Sequence, residues 1–176
     1  MSATFEYNED NGAAVGSPAK GTTRSTAVVQ NNWKNVDDVA SVYSAYPITA
    51  GNNSFSKYQF GKFTGAFNRI ITGKWSAHTA GALGTGLTLK GTVSSTYATP
   101  ATGVNAALTT DFTAIVAVAA GLDVLFSTVG PEGASPTAEL NEAGFTQYLI
   151  TQLQVSVAAA AGDTAVVTST LSYYEN

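Results

Sequence analysis

The sequence predicts an all-β protein: an antiparallel β-sandwich, Ig-like or jelly-roll-like, with an extended N-terminal arm. Three observations predict it. Apolar residues alternate with Thr and Ser over several short stretches, most cleanly across residues 87–97. Gly, Pro and Asn turn signals separate these stretches. A single segment, 31–46, shows sustained helical spacing ahead of a helix-stopping proline. The expected division is residues 1–30 as N-terminal strand and arm, and residues 31–176 as the sandwich.

Residues 4–9 place Phe5 and Tyr7 on one face, which predicts a short first strand, and Asn11-Gly12 signals a turn. Residues 13–21 hold Gly16, Ser17, Pro18 and Gly21 and read as a loop or extended arm. Residues 22–30 read as a strand around Ala27-Val28-Val29. In residues 31–46, Trp33, Val36, Val39 and Tyr43 recur at helical spacing, with Asn32 as cap and Pro47 as stop. The β-branched residues there are mediocre helix formers, so a short helix or an ordered loop is expected. Residues 48–54 contain a turn, Ala50-Gly51-Asn52-Asn53-Ser54.

Residues 53–78 carry four of the eight Phe, one Tyr and one of the two Trp. Aromatics bury the largest area per residue, so this stretch is expected to anchor the core. Tyr58 and Phe60 share one phase, Phe63 and Phe67 the other, and the switch at Gly61 suggests a bulge. Strands are expected over 55–63 and 66–71, followed by a turn at Gly73 and a loop over 79–86. In residues 87–97, Leu87, Leu89, Gly91, Val93, Ser95 and Tyr97 lie on one face of a half-buried strand. The apolar run 112–119 reads as a buried strand, 122–128 as another, and 137–144 as one or two helical turns. Residues 145–157 and 164–174 complete the strands, with Leu149, Leu153, Val155 and Val157 in one phase and Ala165, Val167, Leu171 and Tyr173 in another, around a turn at 158–163.

The absence of Cys excludes disulfides, thiolate nucleophiles and Cys-ligated zinc. The net charge is −4, and eight Lys plus Arg make no basic stripe, so no nucleic-acid partner is expected. No basic-then-apolar leader opens the chain and no apolar run reaches membrane-spanning length, so neither export by a cleaved signal nor a membrane partner is expected. Charged residues make up 11%, against about 25% in ordinary soluble domains. So low a charge favours a surface covered by neighbours in an assembly over a bare Thr/Ser-rich one.

No catalytic, cofactor or metal site is expected. His78 is the single histidine, and no Gly-x-Ser-x-Gly elbow accompanies it. Asp37-Asp38 lacks the spacing of a calcium loop, and Lys34 three and four residues earlier makes a surface ion pair the default. Glu132, Glu139 and Glu142 surround a loop without sign of a cleft. The stretch from Gly65 to Lys74 fails the P-loop spacing, and Trp75 stands where Ser or Thr is needed. Trp33, Tyr43, Tyr46, Tyr58 and Trp75 are the candidate interface anchors, although core packing is the commoner role of aromatics at strand spacing.

Three segments carry a resemblance: Asn32-Trp33-Lys34-Asn35-Val36-Asp37-Asp38, Tyr46-Pro47-Ile48-Thr49-Ala50-Gly51-Asn52-Asn53-Ser54, and Lys57-Tyr58-Gln59-Phe60-Gly61-Lys62-Phe63-Thr64-Gly65. With the closing Phe145-Thr-Gln-Tyr-Leu-Ile-Thr-Gln-Leu and Gly162-Asp163-Thr164 to Glu175-Asn176, they resemble small virion structural proteins of tailed bacteriophages. The resemblance implies a non-enzymatic particle component assembled in the host cytoplasm, of the capsid decoration (cement) type. Its implied partners are the major capsid protein and copies of itself, as a dimer or trimer, with the arm adding a strand to a neighbour's sheet. A tail, collar or baseplate component, a glycan-binding receptor module and a wall hydrolase are the alternatives.

Overall fold

The computed structural model describes residues 2–29, 32–79, 83–160, 162 and 167–176; at 78 and 79 the description stops at the backbone. Among the described residues, twelve strands form two antiparallel sheets packed face to face, as a sandwich, and no α-helix occurs. The large sheet comprises β1 (Thr4–Val15), β2 (Lys20–Ser25), β3 (Lys57–Thr64), β5 (Leu87–Ser94), β6 (Thr110–Asp111) and β11 (Tyr148–Val155), ordered β2-β1-β3-β11-β5-β6, and β8 (Phe126–Ser127) and β10 (Gly144–Thr146) extend it beside β3. The small sheet comprises β4 (Ile70–Thr79), β7 (Leu122–Val124), β9 (Glu139–Leu140) and β12 (Val167–Glu175), with β4 between β12 on one side and β7 and β9 on the other.

The main core lies between the sheets, where Trp75 and Ala77 of β4 meet Leu89 of β5 and Leu149, Leu153 and Val155 of β11. Trp75 is 1% exposed, and the Tyr7 ring meets it edge-on at 5.7 Å. An aromatic buried this fully contributes about 4–6 kcal/mol of gross transfer free energy. Phe63, Ile70, Phe126 and Leu140 fill one end of the sandwich. The outer face of the large sheet is covered as well: Tyr58, Phe60, Tyr148 and Ile150 pack there against Tyr97 and Leu108 from the 95–109 connection.

A sheet covered on both faces explains β3. Tyr58 and Phe60 serve the outer cluster and Phe63 the inner one by ordinary alternation, and β3 keeps register with β1 through Gly61 opposite Tyr7. On its other side the pairing slips by one residue between Lys62 opposite Phe145 and Gln59 opposite Leu149, but the extra residue lies on the β10–β11 side and not at Gly61. Gly61 instead makes room: a Cβ there would lie 2.5 Å from Phe5 Cε2. Gly73 likewise sits inside β4 and makes no turn; a Cβ would lie 2.6 Å from Val124 Cγ1 and 2.7 Å from Phe126 Cζ. The bulge falls beside it, where β4 spends one residue more than β12 between Ile71 and Lys74 and Thr72 takes φ 58°.

The expected N-terminal arm is a hairpin. β1 pairs with β3 from Thr4 to Asp10 and with β2 from Glu9 to Val15, so residues 4–25 belong to the large sheet. Its polar centre, Asn8 to Asn11, is buried. Asn11-Gly12 lies within β1 at a register shift, and the chain reverses only over 16–19. The second strand stops at Ser25; Ala27 is left-handed, Val28 N–H still donates to Tyr7 O, and Val29 projects outward. Of the two readings of 31–46, the ordered loop holds over its described part, with one 3₁₀ turn at Tyr43–Ala45. Residues 112–119 are two 3₁₀ turns that bury Phe112 and Ile115 and expose Val116 and Val118. Residues 137–144 contain the short strand β9 and no helical turn. Tyr97 leaves the inner phase of β5 for the outer aromatic cluster, and Val157 lies exposed beyond β11. Residues 80–82 of the loop expected at 79–86, residues 161 and 163 of the turn expected at 158–163, and Ala165 lie outside the described residues.

Candidate interaction surface

Two polar networks hold β1 in place, one on each face. On the inner face Glu9 Oε1 accepts from Lys57 Nζ and Asn11 Nδ2, each at 2.8 Å, and Glu9 Oε2 accepts from Gln59 Nε2 at 2.8 Å. Tyr7 Oη donates to Gln59 Oε1 at 2.6 Å. Burial first, and then the Glu9 carboxylate, push the Tyr7 hydroxyl well above its ordinary pKa. Glu9 and Lys57 are each 1% exposed, so their 2.8 Å ion pair is a core interaction.

The inner network reaches the loop over 32–46. Lys57 Nζ also donates to Asp38 O at 3.1 Å. Asn11 Nδ2 and Gly12 N–H donate to the two oxygens of Asp37, at 2.9 and 2.7 Å. Lys34, itself buried, donates from Nζ to Asp38 Oδ1 at 2.7 Å and to Ser41 O at 2.6 Å. The expected Lys34–Asp38 pair therefore forms, but its cation is in the interior. Burial works against the Asp38 carboxylate, yet donation from Lys34 and from the Ser41 hydroxyl and N–H outweighs it and holds the pKa at about 2. Asn35 N–H donates to Tyr46 O, and Trp33, half-buried, donates from Nε1 to Thr151 Oγ1 at 3.2 Å.

This pinned loop presents apolar side chains to solvent. Tyr43 is 50% exposed and Tyr46 42%, and Val42 projects beside them. Two adjoining grooves run along it: one of about 320 Å³ between Asn11, Thr23, Asp37 and Ala40, and one of about 420 Å³ lined by Val28, Val29, Val39, Val42 and Tyr43. Of the five candidate anchors, the structure brings Tyr43 and Tyr46 together on the surface, packs half-buried Trp33 against the main core, and buries Tyr58 and Trp75. No partner reaches those last two without unfolding the sandwich, so Trp75 is not a surface for sugar.

The outer network was not legible in sequence. Asp10, fully buried, takes Arg24 Nε and Nη2 at 2.7 Å each and Tyr148 Oη at 2.6 Å. Arg24 Nη2 also reaches Glu132 at 3.3 Å, and its guanidinium lies 4.7 Å over the Phe60 ring. Hydrogen bonding to Asp10 raises the Arg24 pKa further; burial, then the Asp10 hydrogen bond, raises that of Tyr148. An Arg fork on one carboxylate orients the β1–β2 hairpin and ties it to the Glu132 loop. Glu139 pairs with Arg69 at the surface, and Glu142 is exposed. His78 lies opposite Thr168 on β4, with its side chain outside the description. No group of three His, Cys, Asp or Glu with metal-holding geometry occurs among the described residues.

No family model, curated protein or solved structure matches the chain.

Proposed function

We propose that the chain is a non-enzymatic structural protein of a tailed-bacteriophage virion, a decoration (cement) protein that binds the outside of the capsid and bridges neighbouring subunits of the major capsid protein. The carrying observation is the exposed patch of Val42, Tyr43 and Tyr46 on a loop pinned from beneath by buried Lys34 and Lys57. Tyrosines on a rigid support give contact area at low ordering cost, which suits an adhesive surface. The resemblance of 32–38, 46–54 and 57–65 to small phage virion proteins, and the 11% charge content, support the same reading. Many such contacts made at once reinforce a shell by avidity. Because residues 4–25 form a hairpin within the sheet, adhesion on this reading uses the loop surface and not a donated arm.

The test is immunogold labelling of intact particles from cells expressing the chain. Label over the head is the expected result. Label confined to the tail transfers the protein to the collar or baseplate, and particles without label overturn the virion assignment.

A further inference from the structure

We propose that β12 is a self-association edge: two copies pair antiparallel through Val167–Glu175 and join their small sheets into one continuous sheet. This goes beyond the capsid contact above and does not depend on it.

β12 ends the small sheet. One side pairs with β4 over the full strand, and no strand among the described residues pairs with the other. Nine residues at about 3.4 Å each make an edge about 30 Å long. Folded proteins guard such edges with charge, proline, a bulge or brevity. Among the described residues the remaining edges carry those guards: β2 has Lys20 and Arg24, β6, β8 and β9 are two residues long, and β7 is three. β12 carries none of them from Val167 to Tyr174, and the bulge beside it spends its extra residue on β4, which leaves β12 regular.

A second copy is the occupant that fits. Centred on Leu171, the antiparallel pair sets Val167 opposite Glu175, Thr168 opposite Tyr174 and Ser169 opposite Tyr173. The single charge of the strand thus never meets its own copy, and a two-fold axis satisfies both edges with one patch. Leu171 and Tyr173 already point into the core, so the pair forms without exposing either, while Thr168 and Tyr174 face solvent.

The experiment is sedimentation of the full chain over a micromolar concentration range, with two charge variants at those exposed positions. Thr168→Lys/Tyr174→Lys and Thr168→Glu/Tyr174→Glu each set like charges directly opposite twice. Each is expected to weaken the dimer at least about tenfold. An equimolar mixture of the two is expected to restore a heterodimer. Circular dichroism and the melting midpoint of each variant check that the fold is retained. A wild-type chain that stays monomeric, or a Lys variant that dimerises as well as wild type, overturns the proposal. Neither outcome alters the immunogold result.

Discussion

Lys57→Met tests the inner polar network most directly. Methionine keeps the unbranched stem as far as Cε and vacates only the Nζ position, but it removes the cation from Glu9 Oε1 and the donor from Asp38 O. At 2.8 Å and an effective dielectric of about 20, the Coulomb attraction of the pair is about 6 kcal/mol, most of it spent on desolvating two groups that are each 1% exposed. Removing one partner is a different matter, because the other charge stays buried with only the neutral donors Asn11 Nδ2 and Gln59 Nε2 around it. That situation costs about 3–5 kcal/mol. With a urea slope of about 2 kcal/mol per molar, the unfolding midpoint is expected to fall by about 1.5–2.5 M. Tryptophan fluorescence reads the transition, since Trp75 is buried and Trp33 half-buried. Glu9→Gln in the Lys57→Met background removes the stranded charge and is expected to recover most of the loss. A single substitution costing under about 1 kcal/mol, or a double variant no better than the single, would refute the argument that uncompensated charge dominates.

On the proposed virion role, Tyr43→Ala/Tyr46→Ala is expected to cost only about 1–2 kcal/mol of stability, read as a modest fall in the urea midpoint, because each residue is about half exposed, yet to abolish retention of the protein on purified particles. Gly73→Val is expected to cost about 1–3 kcal/mol by overpacking against Val124 and Phe126, read as a lower melting midpoint. Stability is expected to fall above pH of about 10. Tyr7, Tyr97 and Tyr148 all have folded pKa values raised from 10.0, so their contribution is whole below that pH and declines as the unfolded chain alone ionises, by about 1.4 kcal/mol per pH unit for each. At the acid end Asp38, lowered from 3.8 to about 2, contributes above pH of about 4 and loses that contribution between about 4 and 2; urea midpoints across the pH range check both limbs.

The strands that were legible in sequence are those whose two faces differ in chemistry. β5 alternates Leu87, Leu89, Gly91 and Val93 against Thr and Lys, and it pairs with β11 in unbroken register from Leu87 to Ser94. The misread stretches are those where local chemistry overrode the pattern. In the run 112–119, Asp111 Oδ1 accepts from Thr113 N–H and Oγ1, which turns the chain into 3₁₀ geometry and leaves Phe112 and Ile115, three apart, as the buried pair. In sequence Gly61 and Gly73 read as backbone punctuation, whereas in the structure each gives room to a ring that arrives from elsewhere in the chain. The candidate surface was half legible. Tyr43 and Tyr46 are exposed as an interface requires, but nothing local marks Lys34 as buried, because its burial depends on the loop folding over β1 and β3. Asp10 finds Tyr148 at a separation of 138 residues, and no window of sequence carries that pairing.

β1 shows what the buried charges do for this fold. Glu9 and Asp10 are neighbours, so the period of two sends one to each face of the sheet. Lys57 waits on the inner face and Arg24 on the outer. A slip of one residue would turn Glu9 towards Arg24 and Phe60 and Asp10 towards Lys57. It would also expose Phe5 and Tyr7, which pack on Phe63 and Trp75. The centre of the strand, Asn-Glu-Asp-Asn, adds no apolar pattern of its own to Phe5 and Tyr7. Two opposed ion pairs carry the register there, at the cost of desolvating four charges. The hairpin so fixed carries the Asn11 and Gly12 donors that hold Asp37, and with Lys57 of β3, which donates to Asp38 O, it holds the loop that displays Tyr43 and Tyr46. The interior polarity and the exposed aromatics are therefore one arrangement: charges spent inside the sandwich give an apolar surface loop a single shape.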